Sequence, residues 1–147
     1  MFDIRTTDPS EVDALVAIWL RSVRATHTFL TEPDIEALTE PTREALGSGV
    51  LELWTLHDDD VPVGFMGLVA NDVSALFLDP DQRGRGGGRL LLEHARRLKG
   101  ALTVDVNEQN PAAVGFYEAL GFATHGRSPD DDAGRPFPIL HMRQAGG

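Results

Sequence analysis

The chain has no cysteine. That excludes disulfides, thiolate metal sites and a cysteine nucleophile, and it suits a reducing compartment such as the cytoplasm. No apolar run approaches the ~18 residues that a membrane-spanning helix needs, and no leader pattern opens the chain, so a cytoplasmic protein without membrane association is expected. Positive charge is scarce: 13 Lys and Arg stand against 23 Asp and Glu, for a net charge of −10. Nucleic-acid binding needs cationic surface and is not expected. Two readings of the acidity stand side by side. It attracts a cationic partner such as an amine, or it only maintains solubility. No H-E-x-x-H pattern occurs and His94 and His125 show no ligand spacing, so no metal is expected. With 147 residues and no repeat, low-complexity tract or linker, residues 1–147 are expected to form one domain with a real core.

Against that background the stretch Ala75–Leu98, ALFLDPDQRGRGGGRLLLEHARRL, stands out. A short apolar run of strand length ends in Asp79-Pro80-Asp81, which has turn chemistry. Arg83-Gly84-Arg85-Gly86-Gly87-Gly88 follows. Then comes a helical pattern with Leu90, Leu91, Ala95 and Leu98 able to line one face. Glycine costs about 1 kcal/mol per helix-interior position relative to Ala, so four glycines in five residues at a helix start need a reason. Close approach of a ligand to bare backbone is one. A helix N-terminus offers unpaired N–H groups and partial positive charge, and Arg83, Arg85 and Arg89 add to it. The pattern reads as a pyrophosphate cradle; the competing reading is a flexible loop with no ligand. It is not a Walker A loop, which needs Gly-Lys-Ser/Thr, and G-x-G-x-x-G fails at Arg89.

The remaining elements follow from spacing. Residues 2–6 alternate as a strand. Asp8, Pro9 and Glu11 make a helix start with a capping box, and Val12, Leu15, Val16, Trp19 and Val23 carry the helix to about Ala25. A second helix from about Thr31 passes Ile35, Leu38 and Leu46, kinked or split at Pro41. Residues 51–56 and 61–70 read as a hairpin about a polar turn at 57–60, and Asn71-Asp72 turns into the next strand. A strand over 101–106, a helix over 110–120 capped by Asn110, a strand from Gly121, an acidic loop over 128–134 and a last strand over 137–142 complete the chain.

Arg83-x-x-Gly86-x-Gly88 resembles the acyl-CoA pyrophosphate loop of the GNAT superfamily of N-acetyltransferases, Q/R-x-x-G-x-G/A. The segment VDVNEQNPAAVGFYEALGF resembles that superfamily's second signature, with Asn107, Asn110, Ala113, Phe116, Tyr117, Gly121 and Phe122 in place. The likeness covers nearly the whole chain and is greatest to small bacterial members. It implies an α/β (α+β) fold: a mixed, mostly antiparallel sheet with splayed central strands, flanked by about four helices. It implies acetyl-CoA as co-substrate in the split, with no metal. The backbone of Leu76, Phe77 and Leu78 would take the pantetheine arm, and Arg83, Gly84, Arg85, Gly86, Gly87, Gly88 and Arg89 the pyrophosphate.

The activity implied is transfer of an acetyl group to a primary amine, of a small molecule or a peptide, by direct attack on the thioester. Tyr117 would protonate the departing thiolate; otherwise it is a buried aromatic whose hydroxyl merely finds a partner. Asn110 caps its helix and, in the superfamily, also contacts the pantetheine. His27, at the junction of the first two helices, is a candidate base or a structural histidine. Asp72, Asp105, Glu108 and His141 are further candidates. Two alternatives stay open: an acetyl-CoA-binding sensor without turnover, and an O-acyl or longer-chain acyltransferase. A monomer or a homodimer fits equally.

Overall fold

The computed structural model describes residues 1–26, 30–131 and 134–146. Seven strands form one sheet: β1 (Phe2–Thr6), β2 (Glu52–Asp58), β3 (Val61–Val69), β4 (Asp72–Leu78), β5 (Thr103–Asn107), β6 (Phe122–Ser128) and β7 (Ile139–Gln144). Their spatial order is β1-β2-β3-β4-β5-β7-β6. All pairings are antiparallel except β4 with β5. Four α-helices accompany the sheet among the described residues: α1 (Val12–Thr26), α2 (Glu32–Gly47), α3 (Gly87–Lys99) and α4 (Pro111–Ala119). The mostly antiparallel sheet and the helix count are those expected.

Strand alternation sorts the core into two layers. Phe65 and Phe77 pack with Leu15, Ile18, Trp19, Val23 and Ile35 from α1 and α2. Met66, Leu76 and Leu78 point the other way, to Leu91, Leu92, Ala95 and Tyr117 of α3 and α4. The sheet is thus covered by α1 and α2 on one face and by α3 and α4 on the other.

Local chemistry explains the helix ends. Asp8 accepts from Ser10 N while Glu11 bonds back to Asp8 N, closing the expected capping box ahead of α1. Thr31 and Asp34 repeat the device for α2. Pro41 does not split that element: α2 runs unbroken through it, with Pro41 on its exposed side.

Several expectations are corrected. β2 runs on through His57 and Asp58, and the turn is confined to Asp59 and Asp60, both with positive φ. His57 is buried and meets Glu11 Oε2 at 2.9 Å, so it is a core residue and not part of a polar turn. The next turn sits at Ala70 and Asn71, with Asp72 already in β4. β5 begins at Thr103 and β7 at Ile139, each two residues later than spacing suggested. On α3 the buried stripe is Gly87, Gly88, Leu91, Leu92 and Ala95; Leu90 and Leu98 face solvent.

Candidate active site

β4 and β5 pair at only two positions, Asp72 with Thr103 and Val73 with Val104. Beyond Val73 no strand among the described residues covers that edge of β4, although β3 continues to pair its other edge up to Leu78. The fork opens a cleft of about 380 Å³. Its walls include β4 from Val73 to Leu78, β5 from Val104 to Asn107, and α4 from Ala112 to Tyr117.

The connection from β4 to α3 is built in three steps. Asp79 caps a short 3-10 turn over Pro80–Gln82, and its carboxylate also receives Arg21 of α1 at 2.6 Å. Gly84 and Gly86 then take left-handed backbone with φ of 77° and 81°. α3 starts at Gly87 with no side chain capping it, so its first N–H groups are left to solvent or to a ligand. A Cβ at Gly87 would stand 2.7 Å from Leu56 Cδ2, and one at Gly88 would stand 3.0 Å from Phe116 Cζ. The four glycines therefore serve different needs: Gly84 and Gly86 make the turn, while Gly87 and Gly88 let the helix start lie against Leu56 and Phe116.

Of the residues singled out in the sequence, Leu76, Phe77, Leu78, Arg83, Gly88, Asp105, Asn107, Asn110, Ala113, Phe116 and Tyr117 line the cleft. The others lie around it. The Arg85 side chain bonds to Asp58 at 2.9 Å and to Gln82, and its guanidinium covers the Phe2 ring at 4.6 Å. Arg89 lines a separate hollow with Arg96, Arg97 and Leu120. Arg83 is exposed, lines the cleft and has no acidic partner among the described residues. His27 lies outside the described residues.

Asn110 caps α4 as the sequence indicates, its Oδ1 accepting from Ala113 N at 3.2 Å. Its Nδ2 has no bond within the described residues. Tyr117 lies on α4 with its ring between Phe116 and Phe122, at centroid distances of 5.2 and 5.3 Å, both edge-on. It is 8 % exposed, and burial pushes its phenol pKa well above the ordinary 10.0. The hydroxyl has no hydrogen-bond partner among the described residues. It is therefore a protonated donor in a wall of the cleft.

The candidate bases separate. Asp72 is taken up by Ser74 Oγ at 2.9 Å and Thr103 Oγ1 at 2.7 Å. Glu108 forms a two-pronged pair with Arg127, both contacts 2.9 Å, and its carboxyl is held below its usual range by that guanidinium. Asp105 and His141 come together: they are register partners on β5 and β7, with Oδ1 2.7 Å from Nδ1. Ser128, which no sequence motif indicated, meets His141 Nε2 at 2.7 Å.

A parallel pair that forks, an uncapped glycine-rich helix start and a buried phenol define an acyl-transferring enzyme of the GNAT type, and the chain belongs to that family. Residues 50–124 match the acetyltransferase (GNAT) domain. The peptidyl-lysine N-acetyltransferase YjaB of Salmonella typhimurium (strain LT2) is 47% identical over 143 residues, 97% of each chain. The solution structure of apo-form YjaB from Escherichia coli superposes with a TM-score of 0.92 at 45% identity, covering 100% of this chain and 99% of that one. The PaiA N-acetyltransferase from Thermoplasma acidophilum, solved in complex with coenzyme A, shares the fold with a TM-score of 0.76 at 19% identity, over 98% of both chains.

Proposed function

We propose that the chain transfers an acetyl group from acetyl-CoA to the side-chain amine of lysine in a polypeptide. The observation that carries this is one cleft in which the open edge of β4, the buried Tyr117 and Arg83, which has no acidic partner among the described residues, meet. The lysine acceptor is supported by the name of the relative that matches nearly the full chain.

The residues present fit acetyl-CoA. Open N–H and C=O groups along β4 suit the amides of a pantetheine arm, which would lie against them as an added strand. The uncapped start of α3 and the Arg83 guanidinium suit a diphosphate. Asn110 has its Nδ2 to offer as a donor. When bound, acetyl-CoA supplies the activated acyl group as a thioester.

What the protein adds is position and protons. Holding thioester and amine in one cleft makes the attack effectively unimolecular. The acceptor amine attacks after its ammonium has lost a proton to solvent; as the C–N bond forms and the C–S bond breaks, Tyr117 can hand its proton to the departing sulfur and take back the one that the amine nitrogen releases. The cysteine-free chain suits the cytoplasm, where its acceptor proteins would be found.

Incubation with acetyl-CoA and a panel of lysine peptides with blocked N-termini tests the reading. Thiol release together with acetylated lysine in the product is the expected result. Acetyl-CoA binding without transfer to any acceptor would replace it with a sensor.

A further inference from the structure

We propose that Asp105 is the anchor for the acceptor's ammonium group, and that His141 and Ser128 hold its carboxylate in place. This rests on the acetyl-transfer reading of the cleft. Among the described residues that line the cleft, only Arg83 and Asp105 carry charge. Arg83 follows the free end of β4, where the diphosphate would lie. Asp105 is the first residue of β5 past its last pair with β4, so it stands where the fork begins.

The face matters too. Val104 and Val106 are buried toward α3 and α4, so Asp105 between them points to the side of α1 and α2. Ser22 and Thr26 of α1 line the same cleft. Phe77 and Ala75, which pack toward that side, give an apolar wall for an aliphatic stem. An anion beside an apolar wall suits a primary alkylammonium such as a lysine side chain.

The carboxylate is held by one oxygen and free at the other. Asp105 Oδ1 accepts from His141 Nδ1–H at 2.7 Å. In the neutral ring, Nε2 accepts from the Ser128 hydroxyl, also at 2.7 Å. The Asp105 carboxylate, which can only accept, thus selects the tautomer, Ser128 anchors the far side of the ring, His141 fixes the Asp105 rotamer, and Oδ2 has no partner among the described residues. The other acidic candidates are committed elsewhere, Asp72 to Ser74 and Thr103 and Glu108 to Arg127.

Steady-state kinetics with acetyl-CoA and a lysine peptide with a blocked N-terminus test this. Asp105→Asn should raise the peptide KM about tenfold and leave the acetyl-CoA KM unchanged. His141→Ala should raise the peptide KM in the same direction, and His141→Asn, whose amide can replace Nδ1–H, should restore it. A peptide KM within about twofold of wild type in Asp105→Asn would overturn the proposal. So would a rise in the acetyl-CoA KM in step with the peptide KM. A wild-type protein that binds acetyl-CoA but acetylates no peptide would defeat the acetyl-transfer reading itself, and the anchor with it. Asp105 is 54% exposed as a side chain, so Asp105→Asn should unfold at the wild-type temperature.

Discussion

Gly88 and Phe116 are packed so closely that a Cβ at position 88 would stand 3.0 Å from the ring's Cζ. This contact sets the start of α3 against the middle of α4, and so fixes the mouth of the cleft between them. Gly88→Val should push Phe116 and its neighbour Tyr117 out of place. The expected cost is about 1–3 kcal/mol of stability, as for other overpacked sites, together with weaker acetyl-CoA binding. Thermal unfolding and calorimetric titration measure the two effects. Wild-type values in both would mean that the ring moves aside freely.

Gly86 is glycine for another reason. Its φ is 81° and nothing lies within 4 Å of where a Cβ would stand. Space is available, but left-handed backbone costs an ordinary residue roughly 1–2 kcal/mol. Asparagine tolerates that region better than most. Gly86→Asn should therefore bind acetyl-CoA much more tightly than Gly86→Val. Equal losses in the two variants would show that backbone conformation is not what position 86 supplies.

Much of this was legible beforehand, and the limits have physical causes. Helix caps, apolar periodicity and turn residues are local, so β1, the capping box at Asp8 and the cap at Asn110 could be read directly. The glycine run was legible as a special stretch but not in its parts, because Leu56 and Phe116 reach Gly87 and Gly88 from distant segments. Leu98 satisfies helical spacing yet is exposed. The contact between Asp105 and His141 was the least accessible. It depends on β7 inserting between β5 and β6, a matter of topology that no spacing within either strand encodes. Ser128 went unnoticed for the same reason.

Arg83 and Arg85 are two residues apart in sequence and differ in employment. Arg85 is occupied by Asp58, Gln82 and the Phe2 ring, whereas Arg83 faces the cleft without an acidic partner among the described residues. Arg83→Ala should weaken acetyl-CoA binding about tenfold, the scale of one lost charge-assisted contact to phosphate. Arg85→Ala should change it little and act mainly on the stability of the turn. Titration of both variants decides the matter, and a larger loss at Arg85 would reverse the assignment.

Tyr117→Phe removes one oxygen and leaves the ring contacts to Phe116 and Phe122 intact. Turnover should fall by about 10²-fold or more, within the range for loss of a general acid. Acetyl-CoA affinity should stay near wild type. Unchanged turnover would leave Tyr117 as packing alone.

The same phenol should be visible in alkaline stability, independent of catalysis. Its pKa in the fold is raised above the ordinary 10.0 because ionisation would strand a charge among apolar groups. In the unfolded chain the phenol ionises near that ordinary value. Above about pH 10 the unfolded state therefore carries fewer protons than the folded one, and stability falls as pH rises. Below that pH the contribution is constant. Tyr117→Phe cannot ionise in either state, so the variant should lose less stability than wild type between about pH 10 and 12. Denaturant unfolding of both proteins across that range measures the difference. Parallel curves would mean that the hydroxyl is solvated in the folded protein.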